Sequence, residues 1–126
     1  MEADSSTLSR TKHAGATRVL RAFISTGKGL AGAFRNEAAF RQELALGVVL
    51  IPLGCWLGHS GVERALLVSP VVLIWIVELL NSAIEATVDR IGLERHSLSG
   101  LAKDIGSAAV FLSFVLLITV WLLVLL

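Results

Sequence analysis

The apolar run "ALLVSPVVLIWIV" (65–77) passes without a break into "VELLNSAIEATVDRIG" (77–92). The first part is greasy enough to enter a membrane, and the second carries Glu78, Glu85 and Asp89. Carboxylates in that place need a reason. A charged side chain inside a bilayer costs at least about 2.5 kcal/mol even on insertion scales, and it is expected to face a bundle interior or a polar cavity. At about 100° per residue, Asn81, Glu85 and Asp89 fall about −60°, −20° and +20° around the helix from Glu78, so the polar groups form one stripe.

Composition agrees with a membrane protein. The chain has 126 residues, 55% of them hydrophobic, with a mean hydropathy of +0.77. Soluble domains are nearer 45–50% apolar. The formal net charge is only +1, and no nucleic-acid partner is expected. Cys55 is the only cysteine, so neither an internal disulfide nor a Cys/His metal spacing is available, and it reads as an apolar filler.

Three apolar segments stand out. The third, 105–126, carries no charge and is long enough to cross a hydrocarbon core about 30 Å thick. The first, 44–58, is short and reaches spanning length when 38–40 and "RQE" (41–43) are included. The second, 65–84, tolerates Glu78 and Asn81. Spanning structures are helices or closed barrels, and three segments cannot close a barrel. The expectation is an all-α membrane protein of one domain, with transmembrane helices over 38–58, 64–90 and 104–126.

Basic residues set the orientation. Arg10, Lys12, Arg18, Arg21, Lys28 and Arg35 precede the first span, and Arg41 sits at its edge. The first loop, "HSGVER", has only Arg64, whereas the second region between spans has Arg90, Arg95 and Lys103. The N-terminus and second loop are therefore expected in the cytoplasm. Trp56 and Trp121 would fall near the outer interface, and Trp75 deeper, as packing. The start, "MEADSSTLSR", lacks an apolar h-region, so no cleavable signal peptide is expected, and 1–16 reads as a polar tail.

In "TRVLRAFISTGKGLAGAF" (17–34), Val19, Leu20, Phe23, Ile24, Gly27, Ala31 and Phe34 share one helical face, and Arg18, Arg21, Ser25 and Lys28 the other. That pattern predicts an amphipathic helix over 17–35 lying on the cytoplasmic membrane surface. "GKG" (27–29) lacks the upstream glycine and following Ser/Thr of a phosphate-binding loop.

The polar groups of all three spans gather at one depth. Glu78 lies about 9 Å below the cytoplasmic boundary, with Glu85 and Asp89 at or beyond it. "FRNEAAFRQE" (34–43) places Glu37, Arg41, Gln42 and Glu43 where the first span begins, and "LAKDIGSAAV" (101–110) places Lys103, Asp104 and Ser107 where the third begins. Glu37 and Glu85 suit Mg²⁺, a hard cation that prefers carboxylates and substrate phosphates. Lys103 and Arg18 suit a polyphosphate, and Glu78 suits proton removal from a lipid hydroxyl. Together they point to phosphoryl transfer to a membrane-embedded alcohol. The structural alternative is polar glue between helices, through Glu78–Asn81 hydrogen bonds and Glu37–Arg41 pairing.

"NEAAFRQE" (36–43), "VELLNSAIEATVDRIG" (77–92) and the H-x-LSG-x-AKD-x-GSAAV pattern (96–110) resemble the signature stretches of the bacterial integral-membrane diacylglycerol kinases. The resemblance runs without an obvious gap from about residue 17 to the end of the third span. It implies transfer of the γ-phosphate of ATP to diacylglycerol, a requirement for Mg²⁺, location in the bacterial inner membrane, and a homotrimer with active sites between subunits. By this resemblance Glu78 is the general base, Asn81 its support, and Glu37 and Glu85 the metal ligands. Arg18, Glu94, Arg95, His96, Lys103 and Asp104 match nucleotide contacts, and Arg41, Gln42, Glu43 and Ser107 the lipid-substrate side.

Two other functions share parts of this pattern. An undecaprenol kinase of the same superfamily has the acidic helix but a polyprenol substrate; "VDRIG" and "LSG" favour the diacylglycerol form. A small non-enzymatic ion-carrying subunit needs one intramembrane carboxylate, and it needs neither Glu37 nor the Lys103–Asp104 pair. His13 and His59 match no motif and read as surface residues. Pro52 and Pro70 lie within spans and are expected to bend or adjust them locally.

Overall fold

A computed structural model describes residues 5–92 and 96–126, with side chains described from residue 14 onward. Four helices follow one another: α1 (Ser5–Asn36), α2 (Ala38–Leu57), α3 (Gly61–Ile91) and α4 (Ser97–Leu125). The described residues contain no strand. The last three helices grow from the three apolar segments, and each is long and apolar enough to cross a membrane. α2 and α3 continue through Pro52 and Pro70 without interruption.

Local chemistry sets the helix ends. The Ser60 hydroxyl accepts the Glu63 N–H at 3.1 Å, and the Glu63 carboxylate reaches back to accept the His59 N–H at 2.7 Å. This is an S-x-x-E helix start in which the glutamate's back-bond goes to the residue before the cap. Arg64 Nε donates to the Cys55 carbonyl at 3.1 Å, occupying one of the carbonyls that the end of α2 leaves over. At the other connection His96 caps α4, its Nδ1 accepting the Leu98 N–H at 3.1 Å.

The chain divides into two units after Asn36. In the first, α1 starts N-terminal to the amphipathic 17–35 stretch, and its Val19, Leu20, Phe23, Ile24 and Phe34 are exposed. In the second, α3 is central and packs against both α2 and α4. Val71, Ile74 and Leu117 form the core, flanked by Leu46, Leu50, Ile51, Trp75, Phe114 and Trp121.

Lipid tails are as apolar as leucine, so close packing and interhelical hydrogen bonds must hold such a bundle together. Both are present. Trp75 Nε1 donates to the Glu43 carbonyl at 2.8 Å, joining α3 to α2, and Trp121 Nε1 donates to the Leu67 carbonyl at 2.9 Å, joining α4 to α3. Trp75 gets that close because Gly47 lies beneath its ring, where a Cβ would collide with the indole. Trp121, expected near the outer interface, thus packs within the bundle near the C-terminal end of α4, and Trp56 is exposed at 79%.

Candidate active site

The polar stripe of α3 grades from buried to exposed along the helix. Glu78 and Asn81 are buried, at 5% and 8% exposure, Glu85 is half-buried, and Asp89 is exposed. Across from the deep end, Glu43 of α2 is equally buried, at 6%, and its carboxyl lies within hydrogen-bonding reach of that of Glu78. Glu37, the half-buried residue that precedes α2, and Glu85 are both near enough to Glu78 to exert a field on it. Glu78 thus lies beside Glu43 and within electrostatic range of Glu37 and Glu85.

Asn81 links this cluster to the third helix. Its Nδ2 donates to Glu85 Oε1 over a long 3.4 Å, and its Oδ1 presses against Gly106 of α4, where a Cβ would collide with it. Gly106 is what lets α4 approach so closely. Glu43 Oε2, Asn81 Oδ1 and Ser82 Oγ are buried without a hydrogen-bond partner. Buried polar atoms are nearly always paired, so three orphans on facing helices mark a place prepared for polar company. Lys103 of α4 forms an ion pair with Asp89 at 2.7 Å, with both side chains about half exposed.

Of the residues singled out from sequence, Glu37, Glu43, Glu78, Asn81 and Glu85 come together. Arg41 and Gln42 are exposed on the first turn of α2, and Asp104 and Ser107 are exposed on α4. Arg18 is exposed on the other unit. His96 caps a helix, and Glu94 and Arg95 lie outside the described residues. The amide of Asn81 donates to Glu85, whereas the polar-glue reading paired it with Glu78. Two features escaped the sequence reading. Glu43, expected on the lipid-substrate side, adjoins Glu78, and Lys103, expected on a polyphosphate, is held by Asp89. An acidic residue about one and a half turns into a span was the only hint of the former.

Residues 22–125 match the family described as prokaryotic diacylglycerol kinase. The chain belongs to that family. It is 50% identical to a diacylglycerol kinase of Escherichia coli (strain K12) over 107 residues, covering 85% of this chain and 88% of the relative. It is 54% identical to one of Pseudomonas aeruginosa over 115 residues, covering 89% and 94%. A diacylglycerol kinase of Helicobacter pylori (strain 26695) is 37% identical over 110 residues, covering 87% and 86%.

In this member of the prokaryotic diacylglycerol kinase family, no three His, Cys, Asp or Glu side chains converge on a metal position among the described residues. The donors present near Glu78 are the half-buried carboxylates of Glu37 and Glu85. Such a pair fits Mg²⁺, which commonly takes one or two carboxylates and completes its octahedron with substrate phosphates and water. Glu78, one turn beyond the buried Ile74 on α3, is itself buried. The structure separates the buried carboxylate of Glu78 from the half-buried ones of Glu37 and Glu85.

Proposed function

We propose that this protein transfers the γ-phosphate of MgATP to the hydroxyl of diacylglycerol, yielding phosphatidic acid, at the cytoplasmic leaflet of the bacterial inner membrane. The observation that carries the reading is the buried Glu78 on a spanning helix, beside Glu43 and within electrostatic range of Glu37 and Glu85. The membrane-embedded alcohol presents its hydroxyl at the depth of Glu78. That carboxylate takes the hydroxyl proton as the lipid oxygen attacks the γ-phosphorus, and ADP leaves with the electron pair of the broken P–O bond. Glu37 and Glu85 would hold Mg²⁺, which neutralises charge on the phosphate oxygens. Lys103 adds a cation where the phosphates lie once Asp89 releases it. Asn81, tied to Glu85 and seated on Gly106, keeps base and metal ligands in register. Assembly as a homotrimer suits a chain of 126 residues, which offers little surface to enclose both ATP and a lipid.

The test offers the purified protein, in lipid-containing micelles, labelled ATP with either diacylglycerol or undecaprenol. The expected product is labelled phosphatidic acid. Labelling of the polyprenol alone would move the protein to the undecaprenol kinases, and labelling of neither lipid would refute the kinase reading.

A further inference from the structure

The mechanism above uses Glu78, Glu37 and Glu85 and leaves Glu43 without a task. Glu43 is as deeply buried as the base, and its carboxyl adjoins that of Glu78. One of its oxygens, Oε2, has no partner. A second carboxyl in a membrane span is expensive to keep. The side chain is also placed with care. The carbonyl of Glu43 accepts the Trp75 indole N–H at 2.8 Å, and Gly47, one turn further along α2, leaves the gap the ring occupies. Trp75 is three residues before Glu78 on α3, so the tie and the carboxyl pair lie within one turn of each other. The indole therefore sets the register of α2 against α3 at the height of the two carboxyls.

We propose that Glu43 is a positioning residue for the catalytic base: its carboxyl hydrogen-bonds that of Glu78, aims the free oxygen of Glu78 at the lipid hydroxyl, and is itself held in register by the Trp75–Gly47 clip. The proposal rests on the kinase reading with Glu78 as base. A hydrogen bond between two carboxyls holds one proton, so the pair carries a single negative charge and Glu78 keeps a lone pair for the substrate. During transfer the lipid O–H bond breaks, its proton joins Glu78, and the new O–P bond replaces the P–O bond to ADP. The pair is then neutral, and it returns one proton to water before the next turnover.

The test measures initial rates in lipid-containing micelles, with diacylglycerol and MgATP varied separately, for Glu43→Ala, Glu43→Gln, Trp75→Phe and Glu78→Gln. Glu43→Ala should lower kcat by about tenfold to a hundredfold, the loss typical of a misplaced catalytic group, with the KM for MgATP unchanged. Glu43→Gln donates an amide N–H to Glu78 in place of the carboxyl proton, so it should lose less than about tenfold, the value of one hydrogen bond. Trp75→Phe keeps the ring and removes the tie, and should lower kcat in the same way as Glu43→Ala but less. If Glu43→Ala does not fold, Glu43→Gln and Trp75→Phe carry the test, and wild-type kcat in both would overturn the proposal. It is also overturned if Glu43→Ala folds and keeps kcat, if it raises only the KM for diacylglycerol, which would make Glu43 a lipid contact, or if Glu43→Gln is as inactive as Glu43→Ala. Activity in Glu78→Gln would instead refute Glu78 as the base, and that failure is read from its own variant.

Discussion

Glu78 and Glu85 stand two turns apart on α3, yet burial separates their chemistry, since Glu78 is closed off and Glu85 is half open. Glu78→Gln keeps size and hydrogen bonding and loses the proton acceptor. It should cut lipid phosphorylation by about 10²–10⁴, the usual cost of losing a general base, with MgATP affinity nearly intact. Glu85→Gln should instead weaken MgATP binding, and excess Mg²⁺ should restore part of it. Nucleotide affinity and initial rate across a Mg²⁺ titration measure both. Reversal of the two patterns would reverse the roles, and full activity in both variants would make the stripe structural glue. The stripe was legible from spacing alone, because helical periodicity puts Glu78, Asn81, Glu85 and Asp89 on one side. The partnership of Glu43 was not legible, because no periodicity within α2 says which residue of α3 it meets.

At the scale of elements, α4 meets α3 through a glycine. A Cβ at position 106 would collide with Asn81 Oδ1. Gly106→Ala should therefore destabilise the protein by about 1–3 kcal/mol, as overpacking does, and should lower activity by shifting Asn81. Thermal denaturation in micelles checks the first effect and initial rate the second; an unchanged midpoint would mean that the helices part without cost. The Asp89–Lys103 pair is different. Both partners are about half exposed, so Asp89→Asn should change stability by no more than about 1 kcal/mol. Its effect should appear as altered KM for ATP, because it frees the Lys103 ammonium. For α1, cysteines at Arg21 and Lys28 should react with aqueous maleimide in membranes while those at Val19 and Phe23 are protected. Equal labelling on both faces would remove the surface-helix reading.

At the scale of the whole molecule, sites shared between subunits have a direct signature. Glu78→Gln and Glu85→Gln chains, each inactive or weak alone, should recover partial activity when co-assembled, provided base and metal ligand of one site come from different chains. Mixed oligomers without recovered rate would place both groups on one chain. The sequence by itself determined three apolar segments of spanning length, a basic bias on one side of them and a set of carboxylates clustered at one end of the spans. Those follow from bilayer thickness, from the need of each segment to satisfy its own backbone hydrogen bonds, and from the cost of charge in lipid, all of which act on one segment at a time. Only the tertiary structure decided which carboxylates meet. That depends on how far α2 slides along α3, and the slide is set where the Trp75 indole enters the gap above Gly47 and bonds the Glu43 carbonyl, a contact between residues 32 positions apart that no local pattern encodes.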